Sequence, residues 1–215
     1  MKIAVIAAGG NLGGRIVTEA VDRGHEVTAI IHNSPCRDSR AAVLKKSLFD
    51  LTAEDVGEFD AVISAYGSGF SADPVVNRQA MNRLAELVRG TEKRMISIAG
   101  AGCLFTDETK TIRTWELPSH PDFLKGISSN TAMGVDDVKA MPDVHFTFVT
   151  PGVFFDSDGP KTGDYLTSTT EIVPQNEDGA SYTSYGNLAF AMLDFLEQGL
   201  FDRTVVTVLS RHGGK

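Results

Sequence analysis

Apolar runs and glycine-rich turns follow one another along most of this chain, and the period of the runs alternates. Residues 2–8 (KIAVIAA) are continuously apolar and rich in β-branched side chains, the pattern of a strand buried on both faces of a parallel sheet. Gly9, Gly10, Gly13 and Gly14 follow at once, and Leu12, Ile16, Ala20 and Val21 then recur at helical spacing until Gly24. A second apolar run fills 27–31. Strand, tight turn, helix and strand within about thirty residues make a βαβ unit.

The alternation continues to the end of the chain. Strands are predicted at 43–48, 61–65 (AVISA), 95–99, 144–150 and 204–209, and helices at 75–88, 132–141 and 185–196. Such a series implies an α/β fold, a doubly wound, mostly parallel sheet with helices on both faces. Two stretches break the rhythm. Residues 103–130 are polar, with Pro118, Pro121 and Ser128-Ser129-Asn130, and show no clear period. They read either as a lid over a ligand or as a bland surface excursion. Residues 153–182 hold short strand candidates at 164–168 and 171–174 among Gly, Asp and Pro. With no repeat and no linker, the chain reads as one domain over 1–215, with a small substrate-side region from about 103–130 and 153–182.

Composition narrows the class. The 215 residues are 42% hydrophobic and 22% charged, ordinary globular values, and Asp and Glu exceed Lys and Arg by 28 − 20 = 8. Nucleic acid is disfavoured as a partner by that balance. Residues 1–50 run the other way, with seven Lys/Arg against five Asp/Glu, so an anion would be bound there. Cys36 and Cys103 alone give no disulfide framework and no metal clip. No stretch approaches the length of a membrane span or a signal-peptide core, and a cytoplasmic setting is expected.

The chemistry concentrates in the turn Ala7-Ala8-Gly9-Gly10-Asn11-Leu12-Gly13. Glycines there allow a tight turn and remove the Cβ atoms that would keep a pyrophosphate from the backbone, while the helix N-terminus favours the negative charge. The spacing Ala7…Gly10…Gly13 is a G-x-x-G-x-x-G turn whose first glycine is alanine, in the setting of a Rossmann-type dinucleotide site. A mononucleotide P-loop is excluded, because residues 13–16 are Gly-Gly-Arg-Ile. At the end of the second strand an NAD site places an acid for the ribose hydroxyls. This chain has His32, Asn33 and Ser34, with Arg37 and Arg40 close by. That set suits a 2′-phosphate, which favours NADP and leaves NAD possible; the alternative is that His32 is simply an exposed strand-end residue.

Other catalytic templates fail. Four residues after Tyr66, Tyr165, Tyr182 and Tyr185 stand Phe70, Thr169, Gly186 and Ala189, so no tyrosine–lysine proton donor exists. No GxSxG elbow occurs, and the histidines are scattered, so no metal site and no catalytic residue are named. Cys103 reads as a small space-filling residue rather than a nucleophile. A flavin or quinone-like acceptor tolerates a site without a dedicated acid, and so does cofactor binding without turnover.

The segments MKIAVIAAGGNLGGRI, EVTAIIHN, FDAVISAYGSG, SIAGAGCL, FTFVTPGVFFDSDGPKTGDY and YGNLAFAMLDFLE resemble, in order, the atypical short-chain dehydrogenase-like proteins described as NADH–flavin reductases. The family's first turn glycine stands here as Ala7, its usual arginine as His32, and its usual Asp near the adenine as Ser47. The resemblance implies that Gly10, Asn11 and Leu12 hold the pyrophosphate, His32 and Asn33 the adenosine ribose, and Ser47 and Leu48 flank the adenine. Ala65, Tyr66 and Gly67 would line the path to the nicotinamide, with Ala99, Pro151 and Val153 at its reactive end. Substrate would lie under 103–130, near Phe154 and Phe155. The expected activity is NAD(P)H-dependent hydride transfer to a small flavin or quinone-like acceptor. The alternative is a non-catalytic NmrA-like NAD(P)-binding redox sensor acting through a protein partner.

Overall fold

Alternate residues of the first strand leave on opposite faces, and this sets the layers. In β1 (Lys2–Ile6), Ile3 and Val5 join one core cluster while Ala4 and Ile6 join the other. Because both faces are covered, the strand is apolar throughout rather than alternating. The computed structural model describes residues 1–214. From β1 the chain runs through α1 (Asn11–Asp22), β2 (Glu26–Ile31), β3 (Ala42–Lys45), β4 (Ala61–Ser64), α2 (Val75–Val88), β5 (Arg94–Ile98) and α3 (Asp122–Lys139). It continues through β6 (Phe146–Pro151), β7 (Phe154–Asp156), β8 (Tyr165–Ser168), β9 (Tyr182–Ser184), α4 (Tyr185–Glu197) and β10 (Thr204–Ser210).

The eight-stranded sheet has the order β3-β2-β1-β4-β5-β6-β10-β8. Every pairing is parallel except β10 with β8, which is antiparallel. α1 packs with α4 on one face and α2 with α3 on the other. After β1 the chain builds outward through β2 and β3, then returns to add β4 on β1's other side. The strand order therefore reverses at β1, and ligands of open α/β sheets bind outside the carboxyl ends at such a point. Ile6 is in register with both Ile30 and Ser64, so the segments leaving β1, β2 and β4 emerge along one edge.

Three local expectations are corrected, and one pairing is new. The helix expected at 132–141 begins at Asp122, within the polar stretch. Its Ser129, Asn130 and Thr131 side chains donate to the carbonyls of Gly126, Gly126 and Ile127, so residues read as loop formers satisfy themselves on the helix. The strand expected over 43–48 ends at Lys45, and Leu48 opens a short 3-10 turn (Leu48–Asp50) that buries it in the core. The strand expected at 171–174 is reduced to one bridge between Phe105 and Ile172; Glu171, at φ 60°, lies in the left-handed region that strand backbone does not use. The pairing of β7 with β9 in a separate parallel ribbon was not foreseen, since three residues are too few to display a period.

Candidate functional site

The turn after β1 is built by backbone contacts that leave no room for side chains. Ala7 takes φ 59°, the left-handed region, and its carbonyl accepts from Gly10 N–H at 3.0 Å. A Cβ on Gly13 would overlap the carbonyl oxygen of Ala7, and one on Gly9 would overlap that of Ser34. The turn is thus wedged between its own start and the segment leaving β2. Gly10 differs: its φ is −76°, ordinary for any residue, and a Cβ there would meet only Ala7 O, at 3.3 Å. No side chain caps α1, whose first residues face a cavity of about 660 Å³. A helix N-terminus with bare glycine backbone before it is suited to an anion of phosphate size.

The cavity runs from this turn across the carboxyl ends of β4, β5 and β6. Gly10, Asn11 and Leu12 line one end, with Ala65, Tyr66 and Gly67 after β4, Ala99 after β5, and Pro151 and Val153 at the end of β6. These nine predicted residues are brought together. Ala7 forms the turn behind them. His32 and Asn33 are exposed beyond the turn's outer side, and Ser47 and Leu48 sit further along, outside this lining. Ser47 Oγ accepts from Phe49 N–H at 3.3 Å, and the Phe49 ring meets Tyr66 edge-on at 6.0 Å.

The two arginines near His32 are not equivalent. Arg40 is held by Asp38 at 2.6 Å and Asp22 at 2.9 Å. Arg37 forms no ion pair among the described residues, and its guanidinium donates to Asn11 Oδ1 at 3.0 Å. It therefore reaches back to the start of α1.

The other end of the cavity is built from side chains that the sequence reading mostly missed. α3 and the residue pair before it contribute His120, Leu124, Ile127, Ser128 and Thr131, and Phe155 stacks on Tyr185 at 4.0 Å. Of the stretch 103–130, the lining begins only at His120. The earlier residues are tied down instead, through the Phe105–Arg113 bridge and a guanidinium 4.9 Å from the Phe105 ring centre. Phe155 lines the cavity, whereas Phe154 turns to Tyr182, ring centres 5.6 Å apart. Phe70 and Phe123, 75% and 67% exposed, meet edge-to-face at 5.6 Å beside the opening. Helical spacing from Leu124 through Ile127 and Thr131 was the signal available for this wall, masked by the prolines ahead of it.

Cys103 is fully enclosed, and burial pushes its thiol up to about 11, which suits packing rather than nucleophilic attack. Among the described residues no group of three or more His, Cys, Asp or Glu is gathered that could hold a metal ion, and no helix is long and apolar enough to cross a membrane.

A parallel sheet with a glycine turn at its reversal point defines a dinucleotide-binding class of protein. The chain belongs to the NAD(P)H-binding family, whose pattern it matches over residues 7–198. It is 36% identical over 211 residues to the uncharacterized protein YwnB of Bacillus subtilis, spanning 98% of this chain and 99% of that one. A crystal structure from Streptococcus pneumoniae, of a proposed NADH-flavin reductase, superposes with TM-score 0.91 at 40% identity, over 98% of this chain and 99% of that chain. One from Lactobacillus casei gives TM-score 0.88 at 26% identity, over 99% and 100%.

Proposed function

We propose that this protein is an NAD(P)H-dependent reductase of a small planar acceptor, a flavin or a quinone. The observation that carries the reading is a single cavity with a bare-backbone anion cradle at one end and an aromatic and aliphatic wall at the other. Gly10, Asn11 and Leu12 would hold the pyrophosphate on the α1 N-terminus. His32 and Asn33 would meet the adenosine ribose, and Ser47 and Leu48 would flank the adenine, with Phe49 beside Tyr66. Arg37 would add a guanidinium toward a 2′-phosphate, which favours NADP over NAD. Tyr66, Ala99, Pro151 and Val153 would surround the nicotinamide, which supplies a hydride when bound. Phe155, Tyr185, Leu124 and Ile127 would exclude water and offer flat apolar surface to the acceptor. The likeness to the Streptococcus pneumoniae protein supports a flavin as acceptor.

Steady-state oxidation of NADPH and NADH with FMN, FAD and quinones is the test. Acceptor-dependent turnover is expected; none across the panel would remove the reading. A second reading is favoured by one observation: Phe70, Phe123 and Val153 are 75%, 67% and 62% exposed around the opening. Apolar groups in that position would suit a protein partner that senses cofactor occupancy. Tight NADPH binding without turnover, together with a co-purifying partner, would support it.

A further inference from the structure

The chain lacks a tyrosine–lysine donor, yet the cavity wall carries a pair that can move a proton. His120 Nε2 lies 3.0 Å from Ser128 Oγ, and both residues line the cavity that Gly10, Ala65 and Ala99 also line. Ser128 is seated by a close approach of helix to loop. Gly102 follows β5, and a Cβ on it would lie 2.6 Å from Ser128 Cβ and 2.9 Å from Oγ. Only glycine lets α3 bring this hydroxyl against the carboxyl end of β5. His120 is anchored two residues before α3, its backbone N–H donating to Leu117 O at 3.0 Å.

Among the residues that line the cavity, this histidine is the one whose ring can take up and release a proton in turn. Among the described residues, no Asp, Glu, Lys or Arg lines the cavity. Tyr66 and Tyr185 line it, and burial raises both phenols, so they stay protonated. Burial, then the charge of Lys125, lowers the His120 imidazole from its ordinary value. Lys125 is itself bridged to Asp122 at 2.8 Å.

We propose that Ser128 is the proton donor to the reduced acceptor, resupplied by His120, and that the site therefore takes acceptors whose reduction leaves an oxyanion, quinones above all. The proposal rests on the reductase reading. The acceptor gains two electrons as hydride from the reduced nicotinamide, and its carbonyl electron pair moves to oxygen. As the new O–H bond forms there, the Ser128 O–H bond breaks. Imidazolium His120 passes its Nε2 proton to Ser128 Oγ and returns to neutral, and water reprotonates it. One hydride and one proton reach the acceptor, and one oxidised dinucleotide leaves. A flavin reduced at ring nitrogen can draw its proton from water, so the relay bears on quinones in particular.

The experiment compares wild type, Ser128→Ala and His120→Gln, each first shown folded by circular dichroism. NADPH oxidation with a benzoquinone is followed across pH, and histidine Cε1–H resonances of the cofactor-free proteins are titrated by NMR. Ser128→Ala should lower kcat for the quinone about 100-fold. Wild-type kcat should fall as pH rises through the His120 midpoint, and His120→Gln should abolish that dependence. The resonance missing from His120→Gln identifies His120, and its midpoint should move in Ser128→Ala. Wild-type turnover with unaltered kcat in Ser128→Ala, or an unmoved midpoint, would overturn the relay and leave the reductase reading standing. No wild-type turnover with any acceptor would overturn both.

Discussion

The two ends of the cavity are made from different materials. At the β1 turn the walls are backbone: Ala7 and Ser34 carbonyls press on glycines that have no Cβ to yield. At the α3 end the walls are side chains, several of them half-exposed, with Phe70 and Phe123 touching only at their ring edges. A backbone cradle is rigid and indifferent to what lies beyond the phosphate; a side-chain wall can be recut for one acceptor or another. On the proposed reading, fixed binding and adjustable specificity would be segregated along one groove.

That contrast can be broken most sharply at Gly13. Gly13→Val forces a branched side chain onto the Ala7 carbonyl. It should cost about 3 kcal/mol of stability by overpacking, read as a lowered urea midpoint. Gly10→Val is the informative partner. Its backbone angle suits any residue and its Cβ would meet only the Ala7 carbonyl oxygen, at a tight 3.3 Å, so the fold should lose far less than in Gly13→Val while NADPH affinity falls at least tenfold, about 1.4 kcal/mol, by calorimetry. Equal damage from both variants would show that the turn is only structural. Arg37→Ala should weaken NADPH about tenfold more than NADH, and His32→Arg should shift the ratio the opposite way. Ala7→Gly should raise stability by about 1 kcal/mol or less, relieving a left-handed alanine against glycine's greater unfolded-state entropy. The smallest effect concerns pH. Folded His120 releases its proton at lower pH than the unfolded chain does, so the unfolded state binds more protons in the window just below the ordinary imidazole value. Stability should therefore rise with pH through that window and be lost as pH falls through it. Comparing urea unfolding at about pH 5.5 and about pH 7.5, His120→Gln should flatten that slope.

What was legible in the sequence follows the same division. The apolar run of β1, the glycine turn and the helix spacing of α1 are local signals, and they located the cradle and the βαβ unit. The residues 61–65 and 95–99, apolar and turn-bounded, likewise put Ala65 and Ala99 at strand ends. The α3 wall was not legible because its parts are far apart: Gly102 and Ser128 meet only once α3 folds back over β5, and His120 is eight residues from Ser128 in an apparently structureless stretch. Glu171 shows the converse, a short strand pattern undone by a single left-handed residue that its ion pair with Lys139, at 2.8 Å, helps to hold. Arg37 and Arg40 were equal as letters; only the acids around them separated the two.

The sheet's outermost strands carry a consequence of their own. β3 and β8, at the two ends of the strand order, are only four residues each, and β3 ends on Lys45 with Lys46 following. A long, flat, apolar margin would offer unpaired N–H and C=O groups as a template for another chain, the first step toward fibres. Here the margins are short, one is marked by lysines, and the other runs antiparallel to its neighbour, so the buried, β-branched interior of the sheet is never presented at an open border. However hydrophobic its central strands, the sheet's borders give an incoming strand little to pair with.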